Sequence, residues 1–124
     1  MTLPIRFDGP TVHGLGEGGK TLRVPTINIE PSSVPAVLVH GVYAGRALLD
    51  DAWVPAAIHY GPRPVFDAPE SFEVHVIDHT VERMPASLTV EILERLRDVR
   101  DFPSKEALRE TILDDIRRTK QIAQ

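Results

Sequence analysis

The stretch Phe72-Glu73-Val74-His75-Val76-Ile77-Asp78 changes character with a period of two: Phe72, Val74 and Val76 point one way, and Glu73, His75 and Ile77 the other. A helix cannot gather that pattern onto one face, so the stretch is committed to a strand. Leu88-Thr89-Val90-Glu91-Ile92-Leu93 repeats it, with Leu88, Val90 and Ile92 on one side. Val37 to Ala44 and Trp53 to Tyr60 are β-branched and aromatic, bounded by Pro31 and Pro35, by Leu49-Asp50-Asp51 and by Gly61-Pro62. Pro55 points the second of these to a sheet edge or a bulge, since proline has no N–H for a ladder. Ile5 to Val12 and Thr26 to Ile29 flank a glycine-rich loop and bring the total to six short strands. Such spacing predicts a small, mostly β, antiparallel barrel.

The end of the chain is different. All eight glycines lie at or before Gly61, whereas residues 63–124 carry 23 of the 32 charged side chains. Ser104 is a helix cap, Glu106 suits the first turn, and Leu108, Ile112 and Ile116 recur every four residues, with Arg117, Arg118 and Lys120 near the end. A helix over about 104–122 is expected to lay a narrow apolar stripe on a barrel spanning about 4–98. With 124 residues, the chain is expected to form one domain that needs no disulfide or structural metal. The absence of cysteine removes thiol nucleophiles and Cys-ligated metals. A formal charge of −4 argues against a general nucleic-acid binder. No apolar run approaches the roughly 18 residues that span a bilayer, so no membrane association is expected and the expected compartment is cytoplasmic.

Three features carry chemistry. A loop with glycines at Gly14, Gly16, Gly18 and Gly19, followed by Lys20, lets backbone N–H groups approach a phosphate, although hairpin turns collect glycine too. It is not a Walker A loop, because it leads towards Pro25 and a strand. Thr26 and Asn28, two apart on that strand, project from one face, where a hydroxyl and an amide oxygen suit a hard cation such as Mg²⁺ or simply face solvent. Glu73 is a general base if its face lines a cavity, and a solvent-facing carboxylate if it does not. His75 and His79 are spread along about 13 Å of strand, which precludes joint zinc ligation. His13, His40 and His59 are isolated, and no transition-metal site is expected.

The order of these motifs resembles the riboflavin kinase family, both its standalone enzymes and the C-terminal module of bifunctional bacterial FAD synthetases. Gly9-Pro10-Thr11-Val12-His13-Gly14 looks like the family's opening G-x-V-V-x-G, and Pro25-Thr26-Ile27-Asn28 is similar to its P-T-A-N segment. Gly41-Val42-Tyr43-Ala44 resembles G-V-Y-A, and Gly61 to Phe66 resembles G-x-R-P-T-F. Phe72 to Asp78 looks like V-E-V-H-I-L-D, while Leu96-Arg97, Phe102 and Ser104 match the L-R, F and S before the closing helix.

The resemblance implies a six-stranded Greek-key barrel with a C-terminal helix. It also implies transfer of the γ-phosphoryl group of ATP to the 5′-hydroxyl of riboflavin, giving FMN and ADP with Mg²⁺. Thr26 and Asn28 would be metal and phosphate ligands, Gly14 to Lys20 would hold the nucleotide, and Glu73 would accept the hydroxyl proton. Leu96, Arg97 and Phe102 would lie on the flavin side. Only small-molecule partners are implied, and a monomer is expected. Arg23, His59, Val65 and Met84 depart from the family pattern. They raise an alternative, a barrel that binds flavin or nucleotide without turnover.

Overall fold

The computed structural model describes residues 1–12, 25–63 and 68–123. These form strands β1 (Ile5–Val12), β2 (Thr26–Ile29), β3 (Gly41–Leu49), β4 (Ala52–Arg63), β5 (Ala68–Val76) and β6 (Ser87–Arg97), then a helix α1 (Lys105–Ile122). Around the barrel the order is β1-β2-β5-β4-β3-β6, with β6 closing antiparallel onto β1. The meander β3-β4-β5 is flanked by β2 beside β5 and β6 beside β3, which makes two Greek keys. Among the described strands, closure leaves no sheet edge to template pairing with another chain. Among the described residues no helix is long and apolar enough to cross a membrane.

Local chemistry explains the connections. Leu49 pairs with Ala52 across a two-residue turn in which Asp50 and Asp51 take φ of 48° and 65°. Left-handed backbone at both positions matches the twist of the hairpin, and aspartate tolerates it. Inside the barrel the period of two is obeyed: Ile27, Ile29, Ile58, Phe72, Val74, Val76, Val90 and Ile92 are fully buried. Each such side chain contributes roughly 1.5–3 kcal/mol relative to exposure. Phe72 also meets Phe7 edge-on at 5.3 Å and Tyr60 at 5.6 Å between ring centres.

Four expectations need correction. The strand expected from Val37 begins only at Gly41, because Pro35 starts a turn in which Leu38 N–H bonds Pro35 C=O at 3.0 Å. Only Leu38 enters the core there, leaving Val37 and Val39 exposed. Pro55 is neither at an edge nor at a bulge but in the middle of the sheet order. Its C=O accepts from Ile77 N–H at 3.0 Å, and an extended residue aims N and C=O the same way. The missing donor therefore points past the end of β5 and leaves the β3 ladder intact.

β6 does not stop at Leu93. Ala44 pairs with Glu94 but Gly45 with Ile92, and Val42 pairs with Arg97 but Tyr43 with Arg95. Leu93 and Leu96 are thus extra residues in two bulges, which bend the strand and re-aim its last side chains. Gly45 lies beside the first bulge, where an added Cβ would come within 2.4 Å of Glu91 O and 2.9 Å of Ile58 Cδ1.

The helix starts as expected, with Ser104 Oγ accepting Ala107 N–H at 3.1 Å. Its most buried residues are nevertheless polar, Asp115 and Thr119. The bulged end of β6 presents Arg97 to the helix, so a carboxylate rather than a leucine fits opposite. Leu108, Ile112 and Ile116 stay half-buried.

Candidate active site

Strand register assembles the site. On β2 the core-facing residues are Ile27 and Ile29, so Thr26 and Asn28 face outward. Asn28 stands opposite Glu73 on β5, and Glu73 stands opposite His59 on β4. One step along, Thr26 stands opposite His75, which stands opposite Ala57. Directly opposed residues have Cβ atoms about 4.5–5.5 Å apart, within reach of a shared ligand. Three residues singled out from the sequence, Thr26, Asn28 and Glu73, therefore meet on one patch of the barrel's outer face.

That face is not solvated: Glu73 is 2%, His75 5% and Asn28 6% exposed. Thr26 Oγ1 is 3.3 Å from His75 Nδ1, and His75 Nε2 is 3.9 Å from Glu73 Oε2. Asn28 Oδ1 is buried and, among the described residues, accepts no hydrogen bond. A buried acceptor left so costs about 1–3 kcal/mol unless a ligand meets it. Two neutral oxygen donors beside a carboxylate have the hard-oxygen chemistry that Mg²⁺ selects, so these residues fit that ion. Among the described residues no group of three or more His, Asp or Glu is arranged to hold a metal by itself.

Beside this patch a cavity of about 300 Å³ opens between α1 and the barrel. Val42, Ala57, Leu108, Ile112 and Phe102 give it apolar walls, and His59 and His75 form the side that adjoins Glu73. Its size is at the lower end of small-molecule sites, roughly 300–1,000 Å³, and apolar walls with a few polar groups are their usual lining. Arg97 also lines the cavity. Its guanidinium grips Asp115 through Nε to Oδ1 at 3.0 Å and Nη2 to Oδ2 at 2.8 Å, donates from Nη1 to Asp98 O at 3.1 Å, and lies 5.6 Å from the Phe102 ring centre. This ion pair fastens helix to barrel across the cavity.

Arg97 and Phe102 thus line the cavity. Leu96 does not: it packs with Val42, Ala44 and Ile122 beneath the end of α1. Gly14, Gly16, Gly18, Gly19 and Lys20, like Arg23 and Val65, lie outside the described residues. The structure adds His59, His75 and Asp115, to which the sequence assigned no role. The signal for His75 was its place on the Glu73 face, whereas Asp115 carried none, because its partner is set by a bulge.

Comparison with known proteins agrees with the fold and with the family resemblance. A family model described as riboflavin kinase matches residues 1–123. The riboflavin kinase of Aspergillus niger is 35% identical over 97 residues, covering 69% of this chain and 45% of the relative, so the chain spans less than half the length of that protein. The riboflavin kinase of Mus musculus is 32% identical over 127 residues, covering 97% of this chain and 81% of the relative. Among solved structures, a protein from Streptococcus pneumoniae named as a macrolide-efflux protein is 26% identical with a TM-score of 0.78, over 94% of this chain and 38% of that one. The riboflavin kinase of Trypanosoma brucei shares the fold at 18% identity, with a TM-score of 0.62 over 97% of this chain and 80% of that one. With its barrel, its outward Thr26, Asn28 and Glu73 and this match along almost its whole length, the chain belongs to the riboflavin kinase family.

Proposed function

We propose that this chain transfers the γ-phosphoryl group of ATP to the 5′-hydroxyl of riboflavin, giving FMN and ADP. The observation that carries the reading is the meeting of half-buried Thr26 with buried Asn28 and Glu73 on one patch that adjoins the cavity through His59 and His75. Phosphoryl transfer passes through a loose transition state, so it needs alignment and charge neutralisation more than covalent help. Bound Mg²⁺ would supply that neutralisation, held by Thr26 and Asn28. The loop from Gly14 to Lys20 would cradle the nucleotide phosphates with backbone N–H groups and one ammonium. The flavin ring would lie between Ala57 and α1, beside Arg97 and Phe102, with Leu96 supporting the wall from behind. Glu73 would accept the hydroxyl proton as the new O–P bond forms and ADP departs with the old one.

Residues 1–124 would act as one unit, a monomer in the cytoplasm with small-molecule partners only. The test incubates purified protein with riboflavin, ATP and Mg²⁺ and separates the flavins by chromatography. FMN formation is expected. No FMN with ATP or any other nucleoside triphosphate overturns the reading, and tight flavin binding without turnover selects a binding barrel instead.

A further inference from the structure

The wall that α1 and the end of β6 build along the cavity is tied together by its own side chains. Asp115 is charged yet only 3% exposed, and its carboxylate accepts from both edges of the Arg97 guanidinium, Nε at 3.0 Å and Nη2 at 2.8 Å. The third nitrogen, Nη1, donates to Asp98 O at 3.1 Å. So held, the guanidinium lies over the Phe102 ring at 5.6 Å from its centre, and Arg100 lies over the same ring at 5.0 Å. We infer that Asp115 is a positioning residue for the flavin: reaching across from α1, it holds Arg97, and through Arg97 the Phe102 ring, as a preformed wall for the flavin ring.

Stability alone does not call for a carboxylate here. Apolar side chains in place of a buried ion pair often hold two elements together as well or better. What an apolar pair lacks is direction. A carboxylate that meets a guanidinium through two parallel bonds fixes the plane of the cation, which a single bond or a lysine ammonium does not. The fixed cation in turn attracts the electron-rich face of Phe102. Both side chains line the cavity, so their order is the order of the ligand's own wall. Immobilising one long side chain on binding weakens affinity by roughly two- to tenfold, and Asp115 removes that loss in advance. The choice of flavin as ligand rests on the riboflavin kinase reading, whereas the preformed wall rests on these contacts.

Equilibrium dialysis of riboflavin without nucleotide tests the affinity. Asp115→Asn keeps the side chain's size, but its amide accepts at only one of its two ends. It is expected to raise the riboflavin Kd by about tenfold, and KM with it, while kcat at saturating riboflavin stays near wild type. Asp115→Glu keeps the charge and should recover part of the loss. Ile122→Ala loosens the other end of α1, where Ile122 packs on Val42, Ala44 and Leu96, and should lower the melting temperature with little change in Kd. Arg97→Met with Asp115→Leu should restore stability without restoring affinity. An unchanged Kd in Asp115→Asn, a loss confined to kcat, or a Kd that follows melting temperature across these variants overturns the positioning role.

The wall itself is read without ligand. In ¹⁵N-labelled protein the Arg97 Nε–H, assigned by its loss in Arg97→Lys, should exchange slowly with solvent in the wild type and much faster in Asp115→Asn. Fast exchange in the wild type overturns the preformed wall. Wild-type protein that binds riboflavin but makes no FMN removes the proposed transfer but not this inference, which the ratio of Kd values still decides. Wild-type protein that binds no flavin overturns both.

Discussion

At the scale of single residues the barrel separates chemistry from packing by parity. Odd and even positions of β5 face opposite sides, and both sides are buried, so Glu73 sits in a dry place without entering the core. Glu73→Gln keeps the shape and removes the proposed base, so kcat should fall by about 10² to 10⁴-fold while flavin binding and melting temperature stay near wild type. Steady-state kinetics with a binding titration checks this, and a wild-type kcat would dismiss Glu73 as base. The two tyrosines give a second residue-level expectation. Burial raises the Tyr43 phenol above its ordinary 10.0, opposed by the neighbouring Arg95 guanidinium. Burial, reinforced by the Glu70 charge, raises Tyr60 likewise. A raised phenol favours the folded state below the unfolded value and loses that contribution as pH climbs through the folded one. Alkaline titration followed by tyrosinate absorbance should thus show neither ring ionising until above pH 10, with stability declining in the same window. Tyr43→Phe, which also removes the bond to Val39 O, should flatten that decline.

At the scale of elements an ion pair joins the apolar stripe in fastening the helix to the barrel. Asp115→Ala leaves the Arg97 guanidinium uncompensated against the cavity wall and should cost about 3 kcal/mol, whereas Arg97→Met with Asp115→Leu should recover most of that loss. Urea denaturation of the two variants compares them directly, and equal stability of the single variant and wild type would show the pair to be dispensable. Gly45→Ala should cost about 1–3 kcal/mol, because its methyl meets the Glu91 carbonyl that the bulge brings close. Calorimetric melting reads that loss. What was legible beforehand follows the same lines. Hydrophobic alternation located β5 and the start of β6, and Ser104 located the helix start, because each is a local signal. Alternation broke off at Leu93 because the bulges reverse its phase there, which concealed the strand end that carries Arg97. The burial of Asp115 was invisible to a search for apolar periodicity for the same reason. Motif order singled out Thr26, Asn28 and Glu73, whereas the depth of their burial is set by tertiary packing that no local pattern records.

At the scale of the whole molecule, ligands should act as staples between distant segments. Riboflavin or FMN present at a hundred times its Kd should stabilise the protein by about 2.7 kcal/mol, visible as a raised melting temperature. Absence of any shift with flavins and with Mg·ATP would count against both binding readings. The strand order has one more result. Thr26 and Asn28 reach Glu73 through the β2–β5 pairing, which joins parts of the chain far apart in sequence, the kind of contact whose loop-closure cost slows folding. A chain with only the β3–β4–β5 meander carries Glu73, the candidate base, and His59 but neither candidate metal ligand. Such a half-formed molecule would be chemically silent, unable to spend ATP on water. The reactive assembly would exist only in chains that have passed their own structural inspection.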